Sequence, residues 1–488
     1  LAERGESPAD SHLRGRLSNR SWPEVVCWLG SRLAAALDYA HQHGVLHRDL
    51  KPANVLVAAD GSPKLADFNI SFCSKVAGAT PAAYFGGSLA YMSPEQLEAF
   101  NPAHDREAEE LDRTSDIFSL GVLLWELLAG DRPFDDPTPD GDWPATLNGM
   151  TARRRRGVTD AAVAALPADC PEGLTEILLG CLAPEPAQRI GDAGQLGRQF
   201  DLCLQSQVGR LLGRPRGWRR RAALWCVTAA VLAGLLPNAV ASILNIAYNR
   251  YEIVNKLGPA AMSVFKQQLL VVNLLAYPLG IGVLLSLTWP VLRGVRQRLG
   301  GVSAAALAAP TSMLRRRCLR LGDMVAWVTA AEWIVSGIVF PIWLSLDPTT
   351  SANLDRIHYV HFLTSQALCG LPAAMLTFFC TTFLCLRVFF PLLVEPGIPD
   401  PAALDRLRRL APWPARYLAA SVTLYFIATF AVLSLADTAD DQKAMIVLGI
   451  VGLPTFWIAY AFSKEIERDL ASLSIAVSPV HDPLGAAT

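Results

Sequence analysis

The 488-residue sequence is poor in charge: Asp, Glu, Lys and Arg make up 18% of it, against 52% hydrophobic residues, a balance that leans towards membrane embedding. It has no excess of either sign. Forty-three Lys and Arg face forty-four Asp and Glu, a formal net charge of -1, which leaves no electrostatic argument for a nucleic-acid partner. The ten cysteines show neither CxxC nor Cys/His ligand spacing, and Cys226, Cys380 and Cys385 lie inside apolar runs, so buried free thiols are expected. No tandem repeat recurs at a fixed period. Leu1 opens the chain without a methionine or a signal-peptide pattern, and an upstream part is expected to have been lost.

What is present divides sharply near residue 221. Before it, the composition is that of a soluble domain; from Ala222 to Phe462 long uncharged runs dominate. In the first part Val26, Leu29, Leu33, Leu37 and Ala40 recur at helical spacing, and Gly44 follows, which predicts an amphipathic core helix over Glu24–His43. Next stands His47-Arg48-Asp49-Leu50-Lys51-Pro52-Ala53-Asn54. A short apolar strand, Val55-Leu56-Val57, a turn at Asp60-Gly61 and a second strand, Lys64-Leu65-Ala66, lead to Asp67-Phe68-Asn69. The hairpin brings acidic residues to one edge. Phosphoryl transfer needs a carboxylate for the hydroxyl proton, oxygen ligands for magnesium and a cation at the moving phosphate, and Asp49, Asn54, Asp67 and Lys51 are residue types that supply them.

These motifs resemble the catalytic loop and metal-binding motif of the protein kinase family, serine/threonine branch, bacterial type. The resemblance covers roughly the first two hundred residues. It implies Asp49 as catalytic base, Asn54 and Asp67 as Mg2+ ligands, and Lys51 as the contact to the transferred phosphate, with ATP as phosphate donor and protein Ser/Thr as acceptors. Further matches follow in family order. Gly87-Ser88-Leu89-Ala90-Tyr91-Met92-Ser93-Pro94-Glu95 is similar to the end of an activation segment, with Ser93 where the family usually has alanine. Asp116 opens the helix whose aspartate, in the family, holds the catalytic-loop backbone. Arg189 takes the place of the ion-pair partner of Glu95.

The sequence departs from the family pattern in two places. Asn69 stands where glycine is usual, and asparagine is the non-glycine residue that best tolerates left-handed backbone angles. No Gly-rich loop or strand lysine precedes residue 24, so the nucleotide would lose its phosphate cover. The expectation is a C-terminal lobe whose N-terminal lobe is missing from the sequence and which alone transfers no phosphate. Arg48 beside Asp49 implies activation through a phosphorylated residue, with Ser71, Ser74 and Thr80 as candidates or as ordinary loop hydroxyls.

Six apolar runs follow: 222–248, 269–292, 325–346, 360–394, 417–436 and 444–462. Each reaches the roughly 20 residues that cross a bilayer. Arginines crowd the region before the first run and the second and fourth connections, whereas Asp437, Asp440 and Asp441 mark the fifth. By the positive-inside rule the kinase-like lobe and the C-terminal tail are both cytoplasmic. Glu332 and Arg387 interrupt two runs at similar expected depth, as a functional site or as a mutually neutralising pair.

The expected architecture is mainly α: a kinase-like C-lobe with a short β-hairpin over 1–205, a basic juxtamembrane linker over 206–221, a six-helix transmembrane domain over 222–463 and a cytoplasmic tail over 464–488. The expected protein is a multi-pass cell-membrane kinase, with the bilayer, protein substrates and the missing lobe as partners and a homodimer left open. Two alternatives stand beside it, a pseudokinase membrane scaffold and a six-span transporter regulated by the kinase-like part.

Overall fold

A computed structural model describes residues 11–68, 88–136, 142–303, 306–307, 309–351, 355–435 and 439–479. The chain divides into two units, Leu1–Gly213 with Pro396–Pro399 and Ala476–Thr488, and Arg214–Glu395 with Asp400–Ile475.

In the first unit, helix α1 (Trp22–Gln42) starts where the Ser21 N–H donates to the Glu24 carboxylate at 3.0 Å, a capping box with proline in the first turn. It ends in a Schellman arrangement: the Gly44 N–H reaches the His41 carbonyl and the Val45 N–H reaches the Ala40 carbonyl, both at 3.0 Å. Gly44 sits at φ +74°, which glycine adopts without a Cβ clash. Val26, Leu33, Leu37 and Ala40 are buried as the spacing predicts, and Leu29 is half-buried.

Strand β1 (Val55–Val57) pairs antiparallel with β2 (Pro63–Leu65), Val55 opposite Leu65 and Val57 opposite Pro63. The second strand begins one residue before the predicted 64–66, yet the Ala66 N–H still donates to the Asn54 carbonyl at 2.9 Å. The ladder thus carries the chain directly from Asn54 to the residue before Asp67.

Helices α2 (Pro94–Phe100), α3 (Arg113–Ala129), α4 (Trp143–Arg156), α5 (Leu174–Cys181) and α6 (Ala193–Cys203) complete the frame. Helix α3 is apolar all round over Ile117–Trp125 apart from Ser119 and Gly121, and so it forms the centre of the unit. Leu33 and Leu37 of α1, Leu178 of α5 and Phe200 of α6 belong to the same buried cluster.

Arg154 lies in a run of four arginines, Arg153–Arg156, and is nevertheless fully buried. Its Nε donates to the Met92 carbonyl at 2.8 Å, its Nη2 to the Ala90 carbonyl at 3.0 Å, and its Nη1 to Asp136 at 2.7 Å. One cation therefore satisfies backbone carbonyls of 90–92 and a carboxylate together, the condition under which a buried charge is tolerated.

The second unit is helical, with α7 (Cys226–Asn249), α8 (Pro259–Leu299), α9 (Thr311–Leu346), α10 (Arg356–Leu384), α11 (Trp413–Leu435) and α12 (Ala439–Val477) as its long members. Among the described residues four helices are long and apolar enough to cross a membrane: Cys226–Asn249, Ala261–Leu299, Thr311–Leu346 and His358–Leu393. The two remaining runs fall within α11 and α12. Outward-facing Leu270, Leu274, Leu275 and Leu279 of α8 are each 67–70% exposed, an apolar face unlike that of a soluble protein. Residues 206–221 are not an irregular linker throughout, since Ser206–Leu212 and Gly217–Leu224 are helical.

The pairing of Glu332 with Arg387 is not formed. Arg387 Nε donates to Asp469 Oδ2 at 2.6 Å and its Nη2 to Glu465, both on α12, while its guanidinium lies 4.5 Å from the Phe383 ring centre. Helix α12 runs beyond the expected end of the last span and carries these acids back to Arg387, which sits in a π-helical turn over Cys385–Phe389.

Candidate active site

The site is built on the stretch between α1 and the hairpin. Asp116, in the first turn of α3, is 1% exposed and accepts the backbone N–H groups of His47 at 2.9 Å and Arg48 at 2.7 Å. His41 Nε2 lies 2.8 Å from the same carboxylate. One buried aspartate thus fixes the loop by its backbone, the role that the resemblance implies for it. The loop turns sharply there: the Asp49 N–H donates to the His47 carbonyl at 2.8 Å, one residue skipped, with Arg48 at φ +61°. Asp67 is the other non-glycine described residue with positive φ, at +55°. Such angles cost non-glycine residues energy and persist where the surroundings impose them, often at functional sites.

His47 packs its ring 4.5 Å from that of Phe68, and its Nε2 lies 3.1 Å from the Ala66 carbonyl. Burial pushes the imidazole below its ordinary range, against the upward pull of Asp116, Asp49 and the Ala66 carbonyl. A neutral ring is thus a wedge between the loop and the segment that bears Asp67.

The four residues expected to do chemistry are placed as follows. Lys51 Nζ donates to Asp49 Oδ2 at 2.9 Å and to Ser88 Oγ at 2.7 Å. Asn54 Nδ2 donates to the Asp49 carbonyl at 2.7 Å and lies 3.2 Å from Asp49 Oδ2. Asp49, Lys51 and Asn54 therefore form one connected cluster. Asp67 is brought to the same end of the hairpin as Asn54 by the Ala66–Asn54 bond, and its side chain is exposed.

The donor set fits a hard divalent cation. Asn54 turns its amide nitrogen to Asp49, which leaves its Oδ1 as an oxygen donor, and no described residue engages the Asp67 carboxylate. Mg2+ is typically held by one or two protein oxygens together with substrate phosphates. Among the described residues no group of three or more His, Cys, Asp or Glu could hold a metal.

Glu95 and Arg189 form a two-pronged ion pair, Nη2 to Oε2 at 2.9 Å, with Ser115 Oγ donating to Oε1 at 3.0 Å. Burial alone would raise the Glu95 carboxyl, but Arg189 outweighs it and holds the group below the usual carboxylate range. Ser93, the departure from alanine, caps α2: its Oγ accepts the Gln96 N–H while Gln96 Oε1 accepts the Ser93 N–H. Gln96 Nε2 in turn donates to the Arg48 carbonyl at 3.0 Å. The sequence alone singles out neither His41 nor Arg154, and it gives no sign of the contact between Ser88 and Lys51. Asn69 and the candidate phosphosites Ser71, Ser74 and Thr80 lie outside the described residues.

Comparison with known proteins agrees with this geometry. Residues 21–200 match the protein kinase domain model. A probable serine/threonine-protein kinase of Clostridium acetobutylicum is 31% identical over 168 residues, 34% of this chain and 22% of its own length. The serine/threonine-protein kinase PknL of Mycobacterium tuberculosis is 32% identical over 179 residues, 37% of this chain and 40% of its own. The probable serine/threonine-protein kinase PknB of Lactococcus lactis is 38% identical over 119 residues, 24% and 17%. The chain thus spans between 17% and 40% of the length of these curated relatives. The motifs in their order, the aspartate-held loop and the Glu95–Arg189 pair accompany the match of residues 21–200 to the protein kinase domain, and the relatives that share this region are bacterial serine/threonine kinases.

Proposed function

We propose that the chain is part of a membrane-anchored serine/threonine protein kinase that transfers the γ-phosphate of ATP to Ser or Thr of protein substrates. The observation that carries this reading is the connected cluster of Asp49, Lys51 and Asn54 with the unengaged Asp67 carboxylate at the same end of the hairpin. Asp49 orients the acceptor hydroxyl and takes its proton; Lys51, already beside that carboxylate, balances charge at the moving phosphate. Asn54 Oδ1 and Asp67 would hold Mg2+, which supplies charge neutralisation on the nucleotide phosphates.

The cluster covers the catalytic-loop half of such a site. Phosphate cover by a Gly-rich loop and a strand lysine is to come from an N-terminal lobe, and the lobe described here is inactive without it. The apolar helices anchor the kinase as six spans, with the lobe and the C-terminal end in the cytoplasm; the arginine-rich second and fourth connections support that orientation.

Reporter fusions test the membrane half. A reporter joined after Gly300 or at the chain end should be active only in the cytoplasm, and one joined after Asp347 only outside. The reverse pattern, or cytoplasmic activity at all three points, would overturn the six-span reading.

A further inference from the structure

A cavity of 140 Å³ opens in the second unit among α7, α8, α9 and α10. Its lining mixes apolar side chains, Phe265, Leu269 and Phe340 among them, with polar ones that include Asn238, Asn245, Asn249, Asn273, Glu332 and Gln366.

Of the four asparagines that line it, Asn238, Asn245 and Asn249 are already occupied. Asn238 Oδ1 accepts the Trp333 Nε1–H at 2.9 Å and its Nδ2 donates to the Gly234 carbonyl at 2.7 Å. Asn245, Asn249 and Ser365 close a ring of hydrogen bonds of 3.0–3.1 Å. These amides make a rigid wall and have little left to offer a ligand.

Glu332 and Gln366 differ. Among the described residues no hydrogen bond or ion pair reaches the carboxylate of Glu332, an exposed residue at the cavity, and Gln366 Oε1 is buried without a donor. The fold makes room for both. A Cβ at Gly280 would stand 2.7 Å from Glu332 Oε1, and one at Gly337 would stand 3.1 Å from Gln366 Cγ. Among the described residues no Arg, Lys or His lines the cavity. Arg387, the cation closest in character to a partner, is held by Glu465 and Asp469 instead.

A carboxylate in a membrane-spanning helix is costly unless it meets a counter-charge or water, and it faces cavities for that reason. Two unpaired acceptors ask for a donor-rich ligand, the carboxylate asks for a positive one, and the Phe265, Phe340 and Trp333 rings suit a cation with an apolar body. A dry cavity of about 150 Å³ accepts a benzene-sized molecule. We propose that this cavity binds a small amphiphilic organic cation, a protonated amine on an apolar body of about that size, with Glu332 as its counter-charge and Gln366 Oε1 as a second acceptor. The inference does not depend on phosphoryl transfer by the first unit.

The test uses the full chain in lipid nanodiscs, with cyclohexylammonium as probe and cyclohexanol as its neutral twin, followed by calorimetric titration and thermal unfolding. Cyclohexylammonium should bind saturably, about ten-fold or more tighter than cyclohexanol, and should raise the melting temperature. Glu332→Gln should abolish both the preference and the shift without lowering the melting temperature of the unliganded protein. Gly280→Ala, which keeps the charge but fills the space beside it, should weaken binding as well. Equal affinity for the two probes, equal binding by the wild type and Glu332→Gln, or no saturable binding of cyclohexylammonium would overturn the proposal; the first of these would mark the cavity as a plain apolar pocket for lipid or solvent.

Discussion

Replacing Asp49 by Asn in a form of the protein that transfers phosphate should lower the transfer rate by roughly 10²–10⁴-fold, about 3–5 kcal/mol of barrier, with ATP affinity nearly unchanged. The asparagine is nearly isosteric and can keep the contact to Lys51 Nζ through its oxygen, so the loop held by Asp116 should stand as before. What is lost is the group that takes the hydroxyl proton. On the proposed reading Asp49 takes the acceptor proton while Asn54 and Asp67 hold Mg2+ on the nucleotide, and for that reason the defect should fall on kcat and not on nucleotide binding. Single-turnover transfer with a parallel nucleotide titration separates the two. A variant that loses ATP affinity as steeply as rate would place Asp49 in nucleotide binding and remove it as the base.

Replacing Arg189 by Met should destabilise the first unit by about 3–5 kcal/mol, because it leaves the Glu95 carboxylate buried without its partner. Side-chain exposure is 0% for Arg189 and 4% for Glu95, so water cannot replace the lost bonds. The loss also frees the Ala183 and Pro184 carbonyls that Arg189 holds. The double variant with Glu95→Gln should recover part of the deficit, since no bare charge then remains. The pH dependence follows with a definite sign. The folded-state carboxyl of Glu95 lies below its ordinary value of 4.5, so its contribution is present above that value and is lost as pH falls through the lowered one. Chemical denaturation at pH 7 and at pH 4 measures both effects. Equal stability of wild type and Arg189→Met at pH 7 would refute the structural role.

Much of this was legible in the sequence because local rules and family order coincided. Gly44 marked the end of α1 where a Schellman arrangement is found, and Asp60-Gly61 marked the turn of the hairpin. The roles proposed for Asp49, Lys51, Asn54 and Asp67 came with the motif, and the structure brings the first three into contact. What sequence reading missed depends on distant partners. Arg154 stands among four consecutive arginines, and nothing local tells that it turns inward to carbonyls some sixty residues away. Ser88 is an ordinary loop hydroxyl until the chain folds it onto Lys51. The Glu332–Arg387 pairing rested on estimated depth alone. It failed because α12 continues to Val477, so that Glu465 and Asp469, read as tail, stand beside Arg387.

The central claim is that this lobe transfers phosphate to Ser or Thr. The most direct test supplies γ-labelled ATP and Mg2+ to the protein in native membranes and identifies the labelled amino acids by phosphoamino-acid analysis. The account predicts label on serine or threonine, none on tyrosine, and none when Mg2+ is chelated. A protein that binds ATP yet leaves no label would contradict it and would make the lobe a pseudokinase scaffold.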